Sequence, residues 1–187
     1  MPWIQNLSRS EVSRGSHRDP GANSMLIQIS DPPGDHPTPQ YAHFKEIHQF
    51  DFLDIEEDGI TNFGSGEFVD VSEVAITQDQ ATKLVKLLQH ALAQDMNVIV
   101  HCHAGVCRSG AVCEIGVMIG FQDLEDFRVP NLLVKHKMLR GLGWAYDSEE
   151  NHAINGVPIP DDWVNDNEKV FILAEARRKR REQDNGS

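Results

Sequence analysis

Residues 101–110 read HCHAGVCRSG, and the apolar run NVIV at 97–100 stands directly before them. An apolar pattern of helical character follows at 110–119. This order predicts a buried strand that turns through a short loop into the first turn of a helix. Backbone N–H groups at such a turn point toward one place, and the helix dipole favours negative charge there. The segment therefore predicts a site for a phosphate-like anion.

Two side chains give this predicted loop its chemistry. Cys102 and Arg108 are separated by five residues, so one loop could curl around a single tetrahedral anion and return Arg108 to its mouth. The planar guanidinium can hold two oxygens at once. Electropositive surroundings favour the thiolate form of Cys102, and a thiolate held against a bound phosphate is a nucleophile aimed at phosphorus.

The residues His101, Cys102, Gly105, Arg108 and Ser109 resemble the signature His-Cys-x5-Arg-Ser/Thr of the cysteine-based protein tyrosine phosphatases. The resemblance implies that Cys102 forms a phosphocysteine and that Arg108 stabilises the transition state. It implies that Ser109 helps the sulfur to leave and that His101 orients the loop. The loop residues to which the resemblance assigns phosphate binding are His103, Ala104, Gly105, Val106, Cys107 and Arg108.

The family also uses an aspartate on a separate loop as a general acid. The segment DFLDIEED at 51–58 offers five carboxylates after an apolar strand. We favour Asp54, because the acid loop of the family begins at the corresponding place. Asp51 is the second candidate and Asp58 the third.

The resemblance extends over about residues 25–142. It is carried by MLIQISDP, FKEIHQFDFLDIE, the helix before VIVHC, and FRVPNLLVKHKML. Together these resemble a compact microbial (bacterial or phage-type) branch of the dual-specificity-like phosphatases. The resemblance implies an α/β fold with a single central, mostly parallel sheet flanked by helices. Asn131, in the segment VPN at 129–131, matches a position that often braces the phosphate loop in this family, or it only starts a helix.

The residue pattern gives the same fold class independently. Strands are predicted near 3–7, at 25–29, at 44–53 and at 97–100, with an acidic loop at 54–66. Thr77 and Gln80 form a capping box before a helix, and Pro130 opens another that Gly141 closes. We expect residues 1–187 to form one domain, with a C-terminal extension at 147–187 that contains a helix from about 161.

Composition narrows the functional class. The chain has 187 residues, 40% of them hydrophobic, and a net charge of −12, which argues against nucleic acid as a partner. No apolar run is long enough to span a membrane, and the N-terminus lacks the apolar core of a signal peptide. Three cysteines fit a reducing cytoplasm better than a disulfide framework. We expect a phosphorylated protein or another phosphomonoester as partner and neither cofactor nor metal; the oligomeric state stays open.

Two other functions use a similar loop. A non-catalytic phosphate-binding adaptor would lack the cysteine or an acid candidate, and this chain has both. A rhodanese-like sulfurtransferase also carries a loop cysteine, but Ser109 after Arg108 fits phosphatases better.

Cys107 offers a possible redox function. The arrangement Cys-x4-Cys-Arg resembles the low-molecular-weight phosphatases, in which the second loop cysteine can pair with the nucleophile. A disulfide between Cys102 and Cys107 could then protect an oxidised nucleophile. The alternative is that Cys107 points away from Cys102, and Cys113 is a weaker resolving candidate.

Overall fold

The computed structural model describes residues 1–39, 43–56, 60–62 and 68–144. Its strands are β1 (Trp3–Ser8), β2 (Ser24–Ser30), β3 (Glu46–Asp51), β4 (Ile60–Asn62), β5 (Phe68–Asp70), β6 (Asn97–Cys102) and β7 (Gln122–Asp123). Its helices are α1 (Arg9–Arg14), α2 (Gln78–Ala93), α3 (Arg108–Ile119) and α4 (Leu132–Gly141).

Five strands form the central sheet in the order β3-β2-β6-β1-β7, and every pairing in it is parallel. Ser8 at the end of β1 stands opposite Cys102 at the end of β6, and Gln28 of β2 stands opposite His101. The carboxyl ends of the three central strands therefore meet at one edge, where open α/β sheets bind ligands. The predicted fold class is confirmed.

Helices cover both faces of the sheet. On one face, α2, α3 and α4 pack fully buried side chains such as Leu84, Leu88 and Ile115 against the strands. On the other face, Val12 of α1 packs with Trp3 and other apolar residues. Truncating one buried leucine to alanine in such a core costs about 2–5 kcal/mol. This packing holds the strand edge that carries the candidate site.

Helix α3 follows the candidate loop and is buried on nearly all sides. Residues Arg108 to Ala111 in its first turn are all buried, as is Ile115 further along. Because the first six residues of α3 are all buried, close packing fixes its N-terminus relative to β6. The predicted buried helix is thereby confirmed.

Local details differ from the sequence prediction. Helix α1 was not predicted, although Ser8 and Glu11 form a capping box that starts it. Helix α4 begins at Leu132 rather than at Pro130, because the Asn131 side chain accepts a hydrogen bond from Val134 N and caps it. Strands β4 and β5 pair as a small antiparallel sheet, and β4 lies within the predicted loop 54–66.

The predicted extension at 147–187, with its helix, lies outside the described residues. In the part of the chain that the structure describes, no helix is both long and apolar enough to cross a membrane.

Candidate active site

The nucleophile candidate and the arginine lie at the two ends of one loop. Cys102 is the last residue of β6 and Arg108 is the first of α3. Both are buried, with exposed fractions of 1% and 3%. The Cys102 Sγ lies 3.3 Å from the Ser109 Oγ, so the hydroxyl is placed to donate to a thiolate. The structure therefore brings three of the predicted site residues together.

The backbone of the loop is anchored from outside through its carbonyl oxygens. The bonds are Arg9 N to His103 O at 3.2 Å, Asn6 Nδ2 to Gly105 O at 2.7 Å, Val129 N to Val106 O at 3.3 Å, and Asn131 N to Cys107 O at 3.0 Å. None of the amides of residues 103–108 donates to an acceptor within the described ranges. The N-cap residue of α3 likewise makes no side-chain capping bond. The loop thus turns its carbonyls outward and leaves its N–H groups free for an anion.

Gly105 makes this curl possible. Its φ of +77° lies in the left-handed region. A Cβ at this position would come within 2.3 Å of Ser8 N and 2.4 Å of the Leu7 carbonyl carbon, and both are backbone atoms that cannot move aside easily. The loop can therefore pass over the end of β1 only with glycine at 105.

Gly105→Ala is expected to distort the loop and to lower the free energy of unfolding by at least the roughly 1–3 kcal/mol typical of backbone strain. Thermal unfolding and anion binding would measure the two effects. Gly21→Ala is the matched control, because Gly21 has a φ of +73° but nothing within 4 Å of its Cβ position. Equal losses in both variants would show that the contact with β1 does not matter.

Arg108 is held by two acceptors. Its Nη1 donates to Asp31 Oδ1 and to the Phe52 carbonyl oxygen, each at 2.6 Å. Its Nε is buried and has no hydrogen-bond partner among the described residues. Phe52 comes two residues before Asp54, so Arg108 also ties the candidate loop to the segment that carries the acid candidates.

The structure separates the candidate general acids. Asp54 is exposed, and its Oδ1 accepts a hydrogen bond of 2.8 Å from Asn131 Nδ2. Asp51 instead faces His36, with its Oδ1 2.7 Å from His36 Nε2. Asp58 lies outside the described residues. Asp54 is thus placed beside the candidate loop, whereas Asp51 is engaged with another one.

Asn131 performs both of the roles that the sequence left open. Its side-chain oxygen caps α4. Its backbone N–H holds Cys107 O, and its side-chain amide also donates to Ile55 O at 3.0 Å. One residue therefore joins the start of α4, the candidate loop and the segment that carries the acid candidates.

The two histidines of the loop have different surroundings. His101 is fully buried, and neither ring nitrogen makes a hydrogen bond of normal geometry to a described residue. Burial lowers the pKa of His101 to about 4, against a smaller opposing effect of the Cys102 backbone, so the ring is neutral at physiological pH. His103 is exposed. Both line a cavity of about 80 Å³ beside the loop, together with Arg9 and Asp31.

Cys107 is half-buried and lies next to Asp54. Burial raises the pKa of the Cys107 thiol to about 11, and the neighbouring Asp54 carboxylate adds to the rise. At neutral pH the group is therefore a thiol. Cys113 is fully buried in α3, and burial raises the pKa of its thiol as well.

Two residues of the site escaped the sequence analysis. Asp31 follows β2 directly, and polar residues at the carboxyl ends of neighbouring parallel strands meet at one edge of a sheet. That rule could have identified it. Asn6 is a buried amide in β1, whose other buried residues are apolar, and its side chain also donates to Phe127 O at 3.1 Å. A polar residue within a buried strand was the available signal.

Comparisons with known proteins concern one segment of the sequence and the fold. A family model described as "Polymorphic toxin system, DSP-PTPase phosphatase" matches residues 68–119, which include the loop and α3. The fold is similar to that of the human tyrosine phosphatase-like serine/threonine/tyrosine-interacting protein, with a TM-score of 0.52 and 14% sequence identity. That similarity covers 77% of this chain and 93% of the human chain. No curated protein sequence matches this chain.

Proposed function

We propose that the chain is a member of the cysteine-based protein tyrosine phosphatase superfamily, and specifically a dual-specificity-type phosphatase that hydrolyses phosphotyrosine in proteins; the family model over residues 68–119 and the similar fold support this. The observation that carries the proposal is the loop of residues 103–108. Its amides are free within the described ranges, with Cys102 at one end and Arg108 at the other. Such a cradle stabilises the charge that develops on a phosphoryl group in the transition state.

The proposed reaction has two steps. In the first, the Cys102 Sγ attacks phosphorus, the bond to the leaving oxygen breaks, and Asp54 gives that oxygen a proton. In the second, water attacks the phosphocysteine, Asp54 takes a proton from the water, and Cys102 leaves as a thiolate. The Ser109 hydroxyl, 3.3 Å from the sulfur, stabilises that leaving thiolate.

Three assays test the proposal against its alternatives. Purified protein is incubated with an aryl phosphate, then with thiosulfate and cyanide, and finally with a panel of phosphotyrosine, phosphoserine and phosphothreonine peptides. We expect aryl phosphate hydrolysis, no thiocyanate, and the highest kcat/KM for phosphotyrosine. Tight phosphate binding without turnover would identify an adaptor, and thiocyanate formation would identify a sulfurtransferase.

Cys107 is proposed to protect an oxidised Cys102, and the raised pKa of its thiol makes this protection depend on pH. Peroxide converts Cys102 to a sulfenic acid, which Cys107 then captures as a disulfide with loss of water. Capture needs the Cys107 thiolate, and a pKa of about 11 makes that form scarce at neutral pH. The disulfide is therefore expected to form faster as the pH rises from 7 to 9.

Peptide mapping after mild peroxide treatment at each pH would measure the Cys102–Cys107 bond. Asp54→Asn removes the carboxylate that raises the thiol pKa, so this variant is expected to form the bond faster than the parent at pH 7. Cys107→Ser provides the control without a resolving thiol. Absence of the linked peptide at every pH would refute the proposal.

A further inference from the structure

Hydrogen bonds from outside the candidate loop fix the direction of its peptide groups. A peptide bond is planar and trans, so a carbonyl that points outward turns the N–H of the next residue inward. The anchored carbonyls are those of residues 103, 105, 106 and 107, so the N–H groups turned inward are those of residues 104, 106, 107 and 108. The anchors therefore aim N–H groups that the proposed function assigns to the anion.

The anchor at Gly105 differs from the other three because a side chain supplies it. The other three donors are backbone N–H groups, which any residue except proline would provide. The carbonyl of Gly105 accepts instead from Asn6 Nδ2 at 2.7 Å. This anchor alone among the four depends on the identity of a residue, and the N–H that it aims is that of Val106.

We propose that Asn6 is a positioning residue that aims the Val106 N–H at the phosphoryl group, and this inference rests on the proposed phosphatase function. Asn6 lies in β1 and is only 5% exposed. It acts through the peptide group between Gly105 and Val106 and not by contact with the substrate. A donor that is fixed in direction beforehand stabilises the transition state without reorganisation.

The two donors of an amide are what this position requires. The Asn6 Nδ2 also donates to Phe127 O at 3.1 Å, so the nitrogen, and not the oxygen, faces two carbonyls. The Oδ1 is buried and has no hydrogen-bond partner among the described residues. A buried oxygen without a partner opposes folding, so the value of the amide lies in what its nitrogen holds.

The contact with Phe127 extends the effect of Asn6 to two further N–H groups of the loop. Phe127 begins the stretch 127–131, in which the backbone N–H groups of residues 129 and 131 hold the carbonyls of residues 106 and 107. Asn6 joins this stretch to the loop at Gly105. Its loss should therefore loosen the N–H groups of residues 107 and 108 as well as that of Val106.

The experiment compares Asn6→Leu and Asn6→Asp, which are close to asparagine in size and lack its two N–H donors. Asn97→Asp is the matched control. The Asn97 side chain also bridges backbone groups, since it accepts from Trp3 N at 3.2 Å and donates to Pro20 O at 3.0 Å. It lies, however, at the end of β6 away from Cys102.

The readouts are kcat/KM on aryl phosphates with good and poor leaving groups, and calorimetric tungstate binding to each variant in a Cys102→Ser background. Thermal unfolding checks the fold of every variant. Asn6→Leu is the decisive variant, because Asn6→Asp also brings a negative charge close to the loop.

Both Asn6 variants are expected to lose about 10- to 100-fold in kcat/KM, as a small misplacement of catalytic groups does. The loss should be equal for good and poor leaving groups, because the Val106 N–H faces the phosphoryl oxygens. Tungstate binding should weaken in parallel. Asn97→Asp should unfold at a lower temperature than the parent, while its kcat/KM and tungstate affinity stay near the parent's.

A measurement that keeps Asn6 intact covers the case in which its variants do not fold. In proton–nitrogen NMR spectra of Cys102→Ser, tungstate should shift the Val106 N–H resonance downfield. The side-chain N–H protons of Asn6 should exchange with solvent more slowly than those of Asn23, whose amide also donates to two carbonyls but is exposed. An unshifted Val106 resonance, or equal exchange at Asn6 and Asn23, would overturn the inference.

Two results with folded variants would also overturn it. Parent-like kcat/KM and tungstate affinity in Asn6→Leu would show that the loop keeps its shape without the amide. An equal weakening of tungstate binding in Asn97→Asp would assign the effect to overall stability. If the parent binds tungstate but hydrolyses no phosphomonoester, the proposed function fails, whereas the tungstate series still decides the role of Asn6.

Discussion

Cys102→Ser is expected to abolish phosphomonoester hydrolysis while leaving the binding of tungstate intact. The reason is that a serine hydroxyl is a far weaker nucleophile than a thiolate, whereas the amides of residues 103–108 and Arg108 are untouched. Loss of a nucleophile costs on the order of 10⁴-fold or more in kcat. Steady-state kinetics on an aryl phosphate and calorimetry with tungstate measure the two halves of the prediction.

Cys113→Ala is the control for this substitution. Cys113 lies in α3, is fully buried, and makes no contact that the proposed reaction needs. Its loss should leave kcat close to that of the parent. Turnover by Cys102→Ser at a rate near the parent's would refute the phosphocysteine mechanism, and loss of tungstate binding would show that the sulfur, and not the backbone, holds the anion.

The strand, loop and helix around Cys102 could be predicted because their signals are local. The apolar run of β6, the glycine at 105 and the apolar pattern of α3 are contiguous in sequence, and each favours the same structure. The capping box at Thr77 and Gln80 is equally local and is confirmed at the start of α2. Short-range patterns of this kind determine local structure without knowledge of the rest of the chain.

The contacts that complete the site depend on tertiary structure instead. Asp31 and Arg108 are 77 positions apart, and Asn6 lies 99 positions from Gly105. Each pair meets only because β2 and β1 both lie next to β6, and no local pattern fixes that strand order. The sequence alone could not identify the general acid for the same reason. The carboxylates of the segment 51–58 differ in the residues that they contact after folding, and a local pattern does not show those contacts.

Asp54→Asn is expected to slow aryl phosphates with poor leaving groups by about 10²–10⁴-fold and those with good leaving groups far less. A good leaving group departs without a proton, so it does not need an acid. The asparagine keeps the oxygen that accepts from Asn131 Nδ2, and the segment should therefore stay in place. The slope of log kcat/KM against leaving-group basicity measures the effect.

Asp51→Asn is the matched comparison for the acid. Asp51 belongs to the same segment, but its carboxylate faces His36. A neutral side chain at this position should lower kcat/KM modestly, and equally for substrates with good and with poor leaving groups. The reason is that it weakens only the anchoring of the loop that carries His36. If Asp51→Asn instead produces the dependence on the leaving group and Asp54→Asn does not, the general acid is Asp51. The contact between Asn131 and Asp54 then serves only to hold the segment against the candidate loop.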